Sequence, residues 1–303
     1  MNSVGIVGMG WVGSSVAAAL LARGYEGELL LNDLRPEIAE GEAMDFAHGA
    51  LFYQRATVRA SMVEAMRGCD AVVVSAGRGG KPGESRLALL RDNAAIAADL
   101  GKRLQGTRAL IVMVSNPVDI LTEVLRRASD LPQERVLGTG TMLDTARLRV
   151  ELGDFLRVNP ASIHAQVLGE HGDSSVMHWS RASIGGRSLR DWPHWSTELE
   201  ARIGERVRRA AYEIISRKGA TNHAIGLVTA TLIKAVLKDE RRVLTVSRLH
   251  KGVLKLGEVA LSLPTVVGAG GAEQIIEPEL DNAEHKALAH SAELLRTKLR
   301  EVM

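Results

Sequence analysis

The sequence predicts a doubly wound parallel α/β sheet followed by an α+β domain. Three observations carry this. Over roughly the first 140 of the 303 residues, short apolar runs alternate with helical patterns, the rhythm of βαβ units. A glycine-rich turn joins the first of those runs to the first helical pattern. After about residue 140 the rhythm gives way to long helical stretches mixed with alternating strands. The chain thus divides into 1–140 and 141–303, with no flexible linker between them, so the two parts are expected to share a wall.

Candidate buried strands occupy 4–7, 29–31, 71–75, 110–114 and 136–137, each a short apolar run. Between the first two, Val12, Val16, Ala19 and Leu20 recur at helical spacing and face the sheet, and Gly24 is placed to cap that helix. Ile120, Leu121, Val124 and Leu125 repeat the stripe after Pro117. Beyond 140, helical patterns cover about 197–217, 222–237 and 281–302, with strands near 243–249 and 259–267. In the last helix Leu288, Ala292, Leu295, Leu299 and Val302 form a single docking stripe.

Composition narrows the function classes. Apolar residues at 46% and charged residues at 24% fit a globular enzyme and exclude a disordered, collagenous or coiled-coil chain. No apolar run approaches the ~18–20 residues of a membrane helix, and the N-terminal segment has no basic region before an apolar stretch. No membrane partner and no signal peptide are therefore expected. Cys69, alone, forms neither an internal disulfide nor a thiolate metal site, which fits a reducing, cytoplasmic setting, and no metal is expected. A net charge of +2 gives no field for nucleic acid. The clusters Arg206, Arg208, Arg209 and Arg241, Arg242 lack interleaved aromatics and read as solvated faces.

The glycine turn is Gly8-Met9-Gly10-Trp11-Val12-Gly13, and Asp33 stands 20 residues after Gly13 at the end of the next strand. Strand, G-x-G-x-x-G, helix and distant acid together describe a Rossmann-type dinucleotide cradle. Gly8 permits the tight turn, Gly10 lets backbone approach a pyrophosphate, and Gly13 lets helix and strand pack closely. Asp33 would accept hydrogen bonds from ribose hydroxyls and repel a 2′-phosphate, favouring NAD over NADP; Arg35 nearby slightly weakens that preference.

Three further stretches are dense in polar residues: 75–86, 114–119, and 138–147 with 169–173. Reduction of a 2-oxo acid by hydride needs a proton donor, for which histidine suits neutral pH, and an aspartate to hold its tautomer. It also needs an arginine to bind the carboxylate and a second, on a closing loop, to polarise the carbonyl. His171, Asp144, Arg147 and Arg86 supply one of each. Asp144 and Arg147, three apart, share a helix face, a spacing that equally suits a simple salt bridge.

The strings Lys-Pro-Gly-Glu-Ser-Arg, Ser-Asn-Pro-Val-Asp, Leu-Asp-Thr-Ala-Arg and Gly-Glu-His-Gly-Asp occur in this order. Together they resemble the NAD-dependent L-lactate/malate dehydrogenase family, bacterial L-lactate dehydrogenases above all, over essentially the whole chain. The resemblance implies that His171 is the proton donor and acceptor, Asp144 its partner, Arg147 the carboxylate ligand and Arg86 the loop arginine. It implies that Asn116 bonds the substrate oxygen or His171 and also borders the cofactor, and that Thr221 lines the pocket. Gly8, Gly10, Trp11, Val12, Gly13 and Asp33 would bind NAD. A cis bond at Asn116–Pro117 is expected as well.

Several positions depart from the family pattern. The residue before Lys-Pro-Gly is glutamine in typical lactate enzymes and arginine in malate enzymes; here it is Gly80. Arg78 is a charge able to fold inward on the Gly79-Gly80 hinge, or else a solvated loop residue. Glu84, in place of the methionine common in malate enzymes, should repel a dicarboxylate. His223 falls where an aromatic residue often meets the substrate side chain, suggesting a roomier, more polar pocket, though it equally suits packing. Arg149 and His164 match the positions with which some bacterial lactate dehydrogenases bind fructose 1,6-bisphosphate between subunits. The segment 40–48 resembles a subunit-interface helix, implying a homotetramer or homodimer. The reading is a dehydrogenase for a small 2-oxo/2-hydroxy acid, pyruvate/L-lactate first, oxaloacetate/L-malate second, bulkier 2-oxo acids third. The rival from another class, a non-catalytic NAD-binding protein, predicts a broken catalytic set. An NAD-dependent glycosidase would need a longer chain and a metal-binding cysteine.

Overall fold

The computed structural model describes residues 2–53, 55–80 and 83–303. Its first half runs β1 (Asn2–Val7), α1 (Trp11–Ala22), β2 (Gly27–Asn32), α2 (Pro36–His48), β3 (Ala56–Ala60), β4 (Ala71–Val74), α3 (Arg86–Arg103), β5 (Leu110–Met113), α4 (Val118–Ser129) and β6 (Val136–Gly138). Then come α5 (Met142–Leu156) and five two-residue strands, β7 (Ile163–His164), β8 (Val167–Leu168), β9 (Val176–Met177), β10 (Ser183–Ile184) and β11 (Arg187–Ser188). The chain finishes with α6 (Thr197–Lys218), α7 (His223–Leu237), β12 (Arg242–Lys251), β13 (Glu258–Gly268), β14 (Gly271–Ile275) and α8 (Asn282–Arg300).

Strands β3-β2-β1-β4-β5-β6 are parallel in the doubly wound order. β12 then adds to β6 antiparallel, through Ser247 opposite Gly138, and β13 and β14 follow. One nine-stranded sheet therefore runs through both parts of the chain. The strand sequences explain why it is buried on both faces. In β4, Val72 and Val74 join one apolar cluster with α3, α4 and α8, while Ala71 and Val73 join the other with α1 and α7. β5 divides likewise, Ile111 and Met113 from Leu110 and Val112. A third cluster joins Leu148 and Leu152 of α5 to Ile203 and Val207 of α6.

All five expected strands form, with ends shifted by up to two residues. Gly24 follows α1 at φ 76°, as a C-terminal glycine does. The α8 stripe docks by Leu288, Ala292 and Leu295. The sequence reading omitted β3, an edge strand whose Thr57 and Arg59 are exposed and whose apolar content is too low to register.

Helices α1 and α7 pack tightly. Asn222 Nδ2 donates to Ser15 Oγ at 2.8 Å, and a Cβ on Gly226 would stand 2.7 Å from the Ser15 carbonyl oxygen. Gly226→Ala should therefore destabilise the fold by about 1–3 kcal/mol, the usual range for overpacking. Urea unfolding at fixed protein concentration reads this, and an unmoved midpoint would mean the helices part freely.

Candidate active site

The glycine turn is built by backbone geometry that side chains would prevent. The Gly8 N–H donates to the Asn32 carbonyl at 2.8 Å, tying the end of β1 to β2. Gly8 has φ 93°, and a Cβ there would meet Ala76 N at 2.6 Å. A Cβ on Gly13 would lie 1.9 Å from the Gly8 carbonyl oxygen, so only glycine lets α1 start this close to β1. Gly10 differs: nothing stands within 4 Å of its Cβ position. It opens onto a groove with the exposed Trp11, and Val12 turns partly inward. The first turn of α1 has no acidic residue and no side-chain cap, leaving its N–H groups to an anion. Asp33 follows β2, its carboxylate accepting from the Met9 N–H at 2.8 Å and the Arg35 N–H at 3.0 Å. Each oxygen retains a lone pair for a ribose hydroxyl. These residues fit NAD: an open backbone cradle, an uncapped helix end and a fixed acid.

Beside this cradle the loops leaving β4, β5 and β6 converge at the carboxyl edge of the sheet, where ligands bind in such folds. Ser75 Oγ donates to the Gly8 carbonyl at 2.8 Å and Ser115 Oγ to the Ala76 carbonyl at 2.7 Å, so the two regions share one frame. The Asn116–Pro117 bond is cis, as expected. Asn116 is exposed, its Oδ1 accepting from the Val118 N–H at 3.3 Å.

Asp144, in the first turn of α5, is buried and central. His171 Nδ1 lies 2.5 Å from its Oδ2, and Arg147 Nη1 donates to its Oδ1 at 3.1 Å. His171 sits on the loop between β8 and β9. Its main-chain N–H donates to Asp119 Oδ2 of α4 at 2.8 Å, and the Glu170 N–H donates to Ser291 Oγ of α8 at 2.9 Å. Lys298 of α8 closes on Glu170 Oε1 at 2.9 Å. Three helices thus hold the histidine in place.

The electrostatics follow. Burial alone would raise the Asp144 carboxyl, but the His171 and Arg147 charges and hydrogen bonds hold it below its usual range. Burial alone would lower the His171 imidazolium, but Asp144, by charge and hydrogen bond, and the Asp119 charge raise it above its ordinary 6.5. Burial pushes the Asp119 carboxyl up to about 6, although Ser247 and the His171 main chain favour its ionised form. Asp144 and His171 each favour the other's charged form, whereas the Arg147 charge works against the imidazolium and the Glu170 charge against ionised Asp119.

The remaining expected residues are more scattered. Arg86 begins α3, exposed, with no hydrogen bond or ion pair among the described residues. Its charge reaches Tyr212, whose hydroxyl donates to Asp173 at 3.2 Å. Thr221 is half-buried just before α7. His223 opens α7 and lines the groove of Gly10 and Trp11. Gly80 is exposed, its Cβ position 3.3 Å from Leu89 Cδ2, while Lys81 and Pro82 of the same loop lie outside the described residues.

Arg78 does not fold inward. Its guanidinium forks onto the Glu84 carboxylate and also reaches Asp92, at 2.8 Å from Nε. The negative charge expected of Glu84 is thereby matched by a cation. Arg149 Nε donates to the Ala165 carbonyl at 2.9 Å, and burial together with the nearby Arg242 charge lowers its pKa. His164, one residue before Ala165, is exposed on β7. Asp119 and Glu170 were visible in the quoted strings without an assigned role. The Asp119–His171 contact joins residues 52 apart, which spacing cannot reveal.

Known proteins are similar to this chain over its full length. The family model for the lactate/malate dehydrogenase NAD-binding domain matches residues 2–138, and that for the lactate/malate dehydrogenase α/β C-terminal domain matches 141–303. The chain is 44% identical over 300 residues to the L-lactate dehydrogenase of Thermus aquaticus, covering 97% of each. It is 44% identical over 302 residues to that of Salinibacter ruber, covering 97% of this chain and 96% of the relative. The crystal structure of the minor L-lactate dehydrogenase from Enterococcus mundtii, in a ligand-bound form, superposes with a TM-score of 0.97 at 37% identity, covering 100% and 98% of the two chains.

An acid at the position of Asp33 would set a cofactor preference. A 2′-phosphate would remove a hydroxyl donor and bring charge against this carboxylate. NADH should bind more tightly than NADPH, and Asp33→Ala should narrow the gap. Titration of both cofactors by fluorescence checks this, and equal wild-type affinities would contradict it.

Proposed function

The chain belongs to the lactate/malate dehydrogenase family, and on that premise we propose that its site interconverts pyruvate and L-lactate with NADH and NAD. The observation that carries the reading is the His171–Asp144–Arg147 cluster beside an open dinucleotide cradle. Bound NADH would supply the hydride. Arg147 spends one nitrogen on Asp144, and the rest of its fork has no partner among the described residues, leaving it to hold the substrate carboxylate. His171 Nε2, with Nδ1 committed to Asp144, delivers the proton to the oxygen that becomes hydroxyl. Asp144 stabilises the imidazolium until then. Arg86, with Asn116, is read as polarising the carbonyl, and Thr221 as part of the pocket wall. The presence of all four residue types in the chain supports the enzyme reading over a mere NAD-binding protein.

Substrate choice follows from the loop. A second carboxylate, as in oxaloacetate, is costly to bury without a partner. Among the described loop residues, Arg78 is spent on Glu84 and Asp92, and Gly80 has no side chain. Pyruvate brings only a methyl group. The missing side chain at Gly80, next to the flexible end of Leu89, supports a second reading in which longer 2-oxo acids are also turned over.

A homotetramer or homodimer is also proposed. Around α2, Met44, Leu51 and Phe52 are 62%, 91% and 89% exposed, apolar surface that a second copy would cover. Arg149 and His164 are proposed as an anion-effector pair at such an interface. No described helix is long and apolar enough to cross a membrane. A cytoplasmic setting is proposed from the single, buried Cys69.

Two outcomes are expected. kcat/KM should be higher for pyruvate than for oxaloacetate, and Gly80→Arg should move the ratio toward oxaloacetate by about 2–5 kcal/mol, the scale of a buried charge pair. Arg78→Ala should leave the wild-type preference in place. Steady-state kinetics with both acids decide, and a wild-type preference for oxaloacetate would overturn the substrate assignment. As to pH, reduction requires protonated His171, whose pKa is raised. Pyruvate kcat/KM should therefore hold at acidic pH and fall as pH rises through a value above 6.5, with lactate oxidation gained over the same range. A limb below 6.5 would contradict the site electrostatics.

A further inference from the structure

Asp119 has no assigned part in the reaction, yet it is 2% exposed and touches the catalytic loop. Its Oδ2 accepts the His171 main-chain N–H at 2.8 Å. Its Oδ1 and the neighbouring Ser247 hydroxyl of β12 are both buried and make no hydrogen bond of ordinary geometry, although the hydroxyl lies near enough to favour the ionised carboxylate. A buried, half-satisfied carboxylate is expensive to keep unless it serves the groups around it.

Those groups can be named. On its own helix Glu123 is matched by Arg126 and Arg127. From α8, Arg296 lines a small void together with Asp119 but bonds Glu293 and the Leu256 carbonyl. Glu170, from the catalytic loop, opposes the Asp119 charge and is itself held by Lys298. From α5, Asp144 and Arg147 face His171 alongside it. Among the described residues, His171 is thus the one group facing Asp119 whose charge would change during the proposed reaction.

We infer that Asp119 is a positioning residue for proton transfer: it fixes the main chain of His171 and adds a second negative charge that favours the imidazolium. The inference rests on His171 being the proton donor. Asp144 acts on the ring through Nδ1, whereas Asp119 acts on the backbone and through space, so the two contributions are separable.

The test is Asp119→Asn, which keeps an oxygen for the His171 N–H, offers the Ser247 hydroxyl a donor and removes the charge. In the holoenzyme at saturating NADH, the alkaline limb of pyruvate kcat/KM should move down by about one pH unit. kcat on the acidic plateau and the KM for NADH should stay as in wild type. Asp119→Leu, with no acceptor, should lose about 10- to 100-fold in kcat at every pH, the cost of a misplaced catalytic group. A limb that stays put in Asp119→Asn overturns the inference, as does an equal loss in both variants without a shift.

If Asp119→Asn does not fold, the His171 Cε1–H resonance of wild type, identified by its absence from His171→Gln, provides the test. Titration in two steps, the lower near 6, supports coupling to Asp119, and a single step overturns it. His171→Gln also separates the two levels of argument. A loss of about 10²–10⁴-fold there, with an unshifted limb in Asp119→Asn, overturns only this inference. Near-normal turnover in His171→Gln overturns the proton-donor assignment and this inference with it.

Discussion

An aspartate buried as deeply as Asp144 stays ionised only where cations and hydrogen bonds replace water. The active site can be understood as the arrangement that supplies them. Arg147 comes from the next turn of the same helix, so its position costs no long-range closure. His171 comes from a loop 27 residues away and needs anchoring from α4 and α8 to be brought to 2.5 Å. The pairing that keeps Asp144 charged also raises the proton affinity of His171. Stability of the site and its chemistry are the same electrostatics seen from two sides.

The sheet supplies the frame. Because β12 continues the parallel sheet at β6, the elements after residue 141 are registered against the cofactor-binding strands rather than hinged to them. Ser262 of β13 accepts the Gly169 N–H at 2.9 Å and its hydroxyl accepts the Thr141 N–H at 3.0 Å, linking the start of α5 to the catalytic loop. The glycine turn and His171, the proposed proton donor, are therefore tied into one frame by the sheet and these hydrogen bonds.

The parts legible in the sequence were those whose signal is local. The glycine turn and Asp33 follow from steric limits on a strand–helix junction, and the long helices from periodicity. β3 escaped because a half-exposed edge strand has little apolar pattern to read. His171 and Asp144 were linked through resemblance to a family, since no periodicity joins a loop to a helix 27 residues before it. The Arg78–Glu84 pairing was invisible because it depends on how the loop folds back, and it removes both charges on which the sequence argument had drawn. Asp119 stood inside a quoted string, but its use depends on a contact across the fold.

The grip of α8 on the catalytic loop bears on how the molecule is made. β6 ends at residue 138, and Ser247, its partner in β12, lies more than a hundred residues later. At about 5–20 residues per second, the growing chain carries an open sheet edge at β6 for about 5–20 seconds. Lys298 and Ser291, which hold Glu170, are translated later still. A nascent chain can complete its dinucleotide cradle early, but turnover is the last property it acquires.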